Sequence, residues 1–187
     1  MTPTPSTGGR LLLAGPGLED PNFRRTVVFM VEHNDDGALG LVLNRPSPID
    51  LAEAIPHWAD LAAEPAAVFV GGPVEQGSVI GLGHVVVDET PPGLTPIRGG
   101  IAALDLDADP VRLVGDLAGV RLFSGYAGWG PGQLDDEIAL GGWLIVDAEA
   151  GDITTTHPDD LWRTVLARQP DPDLALLALF PDDLSAN

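Results

Sequence analysis

The chain contains no cysteine and no lysine; its nine basic residues are all arginine, set against 28 acidic ones. Without cysteine there is no disulfide, no thiolate nucleophile and no cysteine-ligated zinc. Without lysine there is neither a Schiff-base amine nor the lysine of a phosphate-binding loop. No apolar run approaches the roughly 20 residues a membrane helix needs. The first residues carry no basic patch, and the apolar stretch at residues 11–14 is far shorter than the core of a signal peptide. A cytoplasmic protein with no membrane association is expected. The formal net charge of −19 repels phosphate backbones, which disfavours direct nucleic-acid binding and leaves a protein or small-molecule ligand as the expected partner.

What is present suits one domain. With 187 residues and 44% hydrophobic content, the chain can bury a substantial core. Residues 1–9 read as a disordered tail and residues 10–187 as the domain. Residues 10–14 and 26–33 read as strands, the second apolar on both faces and so buried on two sides. Asn34-Asp35-Asp36-Gly37 is a turn that joins residues 26–33 to a strand at 38–43, making a hairpin. Asp50 caps a short helix that Pro56 ends or bends. Strands follow at 67–70 and at 78–87, the latter with a bulge or bend at Gly81 and Gly83. Residues 90–96 read as a mobile loop, and Asp109-Pro110 opens a helix to about Leu117. A strand at 120–126 runs into a glycine-rich turn and then a helix from about Gln133 to Leu140. A strand at 142–146, an amphipathic helix at 158–168 and a short helix at 174–179 complete the chain. Strands and helices that mix without strict alternation indicate an α+β fold.

Several candidate sites stand out. The run from Arg121 to Glu137 sets the only tyrosine, Tyr126, and one of four tryptophans, Trp129, among glycines. Rigid amphipathic aromatics of this kind suit ligand or partner contacts, and they equally suit roofing a sheet. A glycine turn before a helix N-terminus can cradle an anion, but Asp135, Asp136 and Glu137 already occupy the first helical turn and would repel a phosphate. His33, in Glu32-His33-Asn34, is a candidate general base. Adjacent strand residues point to opposite faces, however, so Glu32 cannot orient it and a structural histidine is the competing reading. Arg24, Arg25, Arg45 and Arg121 lie beside turns, where they either form a local positive pocket or pair with acids. The histidines at 33, 57, 84 and 157 show no metal-ligand spacing. Asp105, Asp107, Asp109 and Asp116 only superficially resemble a calcium loop, because Pro110 stands where the bend needs glycine. No metal or other cofactor is expected.

Gly15-Pro16-Gly17-Leu18-Glu19-Asp20-Pro21-Asn22-Phe23-Arg24-Arg25, Glu32-His33-Asn34, Asn44-Arg45-Pro46, Gly71-Gly72-Pro73, Gly125-Tyr126-Ala127-Gly128-Trp129 and Gly132-Gln133-Leu134 resemble, in this order, the bacterial YqgE/AlgH family. The resemblance implies one α+β domain whose bent, mixed or antiparallel sheet forms a pseudo-barrel flanked by helices. It also brings the label of transcriptional regulator carried by some members, and it implies no particular reaction. The family pattern often has a cysteine before Glu-His-Asn, where this chain has Val31, so no thiol role carries over. The expectation is a non-enzymatic binding or interaction module, linked to transcription through a protein partner. Its ligand- or partner-binding candidates are Arg24, Asn44, Arg45, Gly71, Gly72, Arg121, Tyr126, Trp129, Gln133 and Glu137. The alternative is a hydrolase of a phosphate or ester, with His33 and carboxylates as its site.

Overall fold

The computed structural model describes residues 6–18 and 20–179. The chain forms, in order, β1 (Arg10–Ala14), β2 (Val27–Asn34), β3 (Gly37–Val42), β4 (Pro46–Asp50), α1 (Leu51–Ala54), β5 (Ala67–Val70), β6 (Val74–Val85), β7 (Leu94–Arg98), β8 (Ile101–Leu104), β9 (Leu117–Trp129), α2 (Gln133–Ala139), β10 (Trp143–Asp147), α3 (Ala150–Ile153), α4 (Leu161–Ala167) and α5 (Pro172–Leu177). The strands make one sheet in the order β10-β1-β2-β3-β9-β6-β8-β7, with β4 and β5 branching off. The pairs along that path are antiparallel, whereas β5 runs parallel to β9. The sheet curls into a half-barrel, so the fold is α+β. None of the helices among the described residues is long and apolar enough to cross a membrane.

Alternation along the strands builds two cores. On one face Leu11, Leu13, Val27, Phe29, Leu41, Phe69 and Phe123 pack beneath Ile153, Leu161, Trp162, Val165 and Leu166. On the other, Leu12, Ala14, Val28, Met30, Val42 and Ala127 meet Trp129, Leu134 and Trp143. β1 and β2 are therefore buried on both faces, as their unbroken apolar runs require. A third cluster, around Trp58 and Leu122, closes the far end.

The hairpin forms where expected, with Asn34 opposite Gly37, and Asp50 accepts a hydrogen bond from Ala52 N at 2.7 Å as the cap of α1. Other expectations are corrected. Gly81 and Gly83 lie in unbroken register with Leu122 and Val120, and the shifts of β6 fall instead between Val74 and Val79 and at His84/Val85. A Cβ on Gly81 would come 2.7 Å from Leu104 Cδ1, so this glycine makes room for packing rather than a bend. The expected loop at 90–96 becomes strand from Leu94; β7 is an edge strand, and Pro96 is tolerated there. The helix expected from Asp109 to Leu117 is only a 3-10 turn, Pro110–Leu113, and Leu117 already begins β9. The helix expected at 158–168 divides into a 3-10 turn, Pro158–Asp160, and α4. Residues 6–9 are not a loose tail, since Thr7 is fully buried and Gly9 N–H donates to Met30 O at 2.7 Å. The rest of that expected tail, residues 1–5, lies outside the described residues.

Candidate functional site

β9 is the spine of the site. Its 13 residues pair with β6 on one side and with β5 and then β3 on the other. Tyr126 and Trp129 belong to this strand, not to a turn; the turn is Gly130-Pro131-Gly132, and Gly132 takes a left-handed φ of 72° to start α2. Gly125, with φ of 70°, breaks the alternation opposite the extra residues of β6. Tyr126 therefore packs against the core beneath α3–α5, while Ala127 and Trp129 face the side that α2 covers.

On the α2 side lies an aromatic pocket. Trp129 and Trp143 meet edge-on with ring centroids 5.9 Å apart. Phe23 lies 6.2 Å from Trp129, stacked, and 5.6 Å from Trp143, edge-on. Edge-to-face packing at these distances is the favoured geometry of aromatic pairs. One carboxylate fixes both indoles: Glu137 Oε2 accepts Trp129 Nε1–H at 2.9 Å and Trp143 Nε1–H at 2.8 Å. Its Oε1 accepts Gln133 Nε2–H at 3.1 Å, while Gln133 Oε1 takes the Gly130 N–H at 3.0 Å. The i,i+4 spacing on α2 sets Gln133 and Glu137 side by side while Leu134 turns into the core. The rings open to solvent through a cavity of about 360 Å³ rimmed by Leu18, Asp20 and Leu140, and the Leu140 side chain is 87% exposed. A second, shallower groove of about 450 Å³ runs past Tyr126 with Glu32, Asn34 and Asp36 on its wall.

The other sequence-derived candidates serve the scaffold or line different surfaces. His33 Nδ1 receives the Thr7 N–H at 3.3 Å and lies 3.0 Å from Thr7 Oγ1, while its Nε2 lies 3.7 Å from Asp135 Oδ1. A hydroxyl, an imidazole and a carboxylate thus stand in sequence, but Thr7 is 0% exposed, and no substrate carbonyl or phosphorus reaches its oxygen in this conformation. Asn44 clips the start of β2, since its Oδ1 accepts Val27 N–H at 2.9 Å and its Nδ2 donates to Arg25 O at 2.8 Å. Gly71 and Gly72 let two strands approach, because a Cβ on either would strike the backbone of Gly125 or Tyr126. Arg24 lies at the surface, and its carbonyl accepts Arg45 Nη2–H at 2.6 Å.

Arg121, expected beside Tyr126 and Trp129, is instead internal at 1% exposed. Its Nε donates to Ile153 O at 3.1 Å, its Nη2 to Glu64 O at 3.1 Å and Thr155 O at 3.0 Å, and its guanidinium lies 4.1 Å above the Phe69 ring. Burial pushes its pKa down to about 10, with Glu64 opposing the shift, so it remains a cation at neutral pH. It staples α3 and the loop before β5 to β9. The calcium-like aspartates are local caps: Asp109 Oδ1 accepts Val111 N–H at 3.1 Å and Asp105 Oδ1 accepts Asp107 N–H at 3.0 Å. Among the described residues, no three His, Asp or Glu side chains converge to hold a metal ion.

Sequence reasoning passed over Phe23 and Trp143. Phe23 lies far from Trp129 in the chain and left no local signal, whereas Trp143 follows Glu137 by only six residues, and its signal was an indole N–H that needs an acceptor when buried.

Comparison with known proteins places this architecture. The family model described as AlgH-like matches residues 11–172. The chain belongs to the AlgH-like family. A UPF0301 protein of Streptomyces avermitilis is 48% identical over 191 residues, covering 100% of this chain and 98% of the relative. One of Mycobacterium tuberculosis is 46% identical over 182 residues, covering 96% and 90%. Among solved structures, a Corynebacterium diphtheriae protein superimposes with a TM-score of 0.88 at 34% identity, covering 95% of this chain and 93% of that one. The AlgH protein from Pseudomonas aeruginosa gives a TM-score of 0.66 at 29% identity, with 98% of each chain covered.

Proposed function

We propose that this family member is a cytoplasmic, non-enzymatic binding module whose recognition surface is the Phe23–Trp129–Trp143 pocket. Its occupant is an apolar side chain on a basic segment of a partner protein. The observation that carries this reading is the pairing of two indoles, held in place by Glu137, with an open rim on which Leu140 is 87% exposed. Rigid aromatics that already have their hydrogen bonds lose little on binding an apolar group, the usual character of an interface anchor site. Charge selects the partner: Asp20 and Glu137 line the pocket, α2 adds Asp135 and Asp136, and the chain carries −19 overall. The same charge means that any link to transcription runs through a protein rather than through DNA. Against the hydrolase alternative with His33 and carboxylates stands the position of His33, whose side chain is 8% exposed and whose Nδ1 is taken up by Thr7.

Peptide arrays test this reading. Peptides with one leucine or phenylalanine flanked by arginines should bind, and acidic-flanked versions of the same peptides should not. Binding should fall about tenfold in Leu140→Ser, the scale of one apolar side chain left in water. Binding that ignores the flanking charge, or is unchanged in Leu140→Ser, removes this pocket as the site.

A further inference from the structure

Beyond the aromatic pocket, we infer a second ligand site, for a small monocarboxylate, in the pocket where Arg45 meets Asn22 and Gln76. This pocket lies on the other side of the loop that carries Phe23. It is bounded by Pro21, Asn22, Arg45, Gly72, Pro73 and Gln76, encloses about 190 Å³, and none of its lining residues is acidic. In a chain of charge −19 that is a local inversion of sign.

The buried Arg121 and the half-buried Arg168 show how this protein treats a cation used for structure. Arg121 gives its Nε and Nη2 to three carbonyls and leaves only Nη1, sealed in the interior, without a hydrogen bond, and Arg168 forms a two-pronged pair with Asp152 at 2.6 and 2.7 Å. Arg45, half-buried, differs from both. One Nη2–H reaches Arg24 O at 2.6 Å, and among the described residues it has no ion pair and no other side-chain hydrogen bond. The rest of the guanidinium fork is therefore uncommitted, and a planar fork matches a carboxylate through two parallel bonds. The side-chain amides of Asn22 and Gln76 likewise have no hydrogen-bond partner among the described residues. Of the acids next to the lining residues in sequence, Asp20 turns its Oδ1 to the Asn22 backbone N–H at 2.8 Å and lines the aromatic pocket instead, and the exposed Glu75 is not part of the lining. Gly72 closes the wall with bare backbone, because β9 leaves no room there for a Cβ.

Size and charge select the ligand. The volume corresponds to roughly six waters at about 30 Å³ each, which suits an acid of a few heavy atoms. Val42, Val70 and the two prolines give it apolar walls for a short carbon body. A phosphate dianion would meet the protein's negative field with twice the charge and would find no second cation among the lining residues, so the carboxylate is favoured.

The test is an NMR titration of the full chain with sodium propionate and, separately, with inorganic phosphate at constant ionic strength. Propionate is expected to shift the Arg45 Nε–H and the Gly72 and Gln76 amides saturably, with a Kd on the order of millimolar for so small a ligand. Phosphate is expected to bind at least about tenfold more weakly, and the exposed Arg112 should not respond. Arg45→Gln should abolish saturation. Gln76→Leu, on an exposed residue whose side chain bonds nothing in the fold, should weaken it severalfold with the remaining spectrum intact. Linear shifts shared by all arginines, saturation that survives Arg45→Gln, or tighter binding of phosphate would each overturn the assignment.

Discussion

The two faces of the β1–β2–β3 sheet are built from the same alternating run of apolar residues, yet they finish differently. Beneath α3–α5 the face is closed: Trp162 is buried, its Nε1–H donates to Ala14 O at 3.0 Å, and the guanidinium of Arg25 lies 4.8 Å over its ring. Below α2 the face is roofed by a single seven-residue helix, so the rings of Phe23, Trp129 and Trp143 reach the bottom of an open cavity. Hydrophobicity alone does not distinguish a core from a site. Trp143 and Trp162 are each 3% exposed, so the difference lies in the cavity that adjoins the α2-side rings and in which atoms hold the indole N–H groups.

The largest effect expected from breaking this comparison is on the closed side. Trp162→Ala should cost about 3–5 kcal/mol in urea unfolding by leaving a cavity under α4, while peptide affinity per folded molecule stays unchanged. An equal loss of affinity would mean that the faces do not act separately.

Alkali probes the closed side in another way. Above about pH 10 the unfolded chain still holds the proton that folded Arg121 has released, so this group's contribution to stability rises with pH from there, by up to about 1.4 kcal/mol per pH unit. Below about pH 10 both states are protonated and the cost of desolvation is felt in full. The absence of lysine removes the commonest side chain that titrates in this range. The ¹³Cζ signal of Arg121 should titrate near pH 10; a signal that stays unchanged well above pH 10 would contradict the desolvation of its guanidinium.

On the open side the effects shrink and change kind. Glu137→Leu should cost about 2 kcal/mol, because two buried indole N–H groups lose their acceptor, and it should broaden both indole resonances. Leu140→Ser should alter stability by no more than about 0.5 kcal/mol while weakening partner binding. A Leu140→Ser protein that melts like Trp162→Ala would make Leu140 part of the core.

Local signals were the legible part of this sequence. Asn34–Gly37, the Asp50 cap and the doubly buried β1 and β2 follow from turn chemistry and period, and the order of motif blocks identified the family. Elements that contain proline were lost: β7 holds Pro96, which read as loop, and β4 holds Pro46 and Pro48, for which no strand was read, until the sheet supplies edges that tolerate them. Of the site, Trp129, Gln133 and Glu137 are neighbours in the chain and stood out together. Trp143 reaches Glu137 across the short turn after α2, but Phe23 joins them only through the pairing of β1 with β2 and β10, a long-range arrangement that no local pattern encodes. Arg121 was misplaced for a similar reason. Beside a glycine-rich run it looks like a surface cation, and only the packing of α3 over β9 shows that carbonyl oxygens enclose it.

The most direct measurement of the central claim uses the four tryptophan indole N–H resonances as reporters during titration with a leucine-centred, arginine-flanked peptide. Trp129 and Trp143 should shift together and saturate, with Trp58 and Trp162 unmoved. A peptide that binds without shifting those two, or that moves all four alike, would contradict the assignment of the aromatic pocket as the recognition surface.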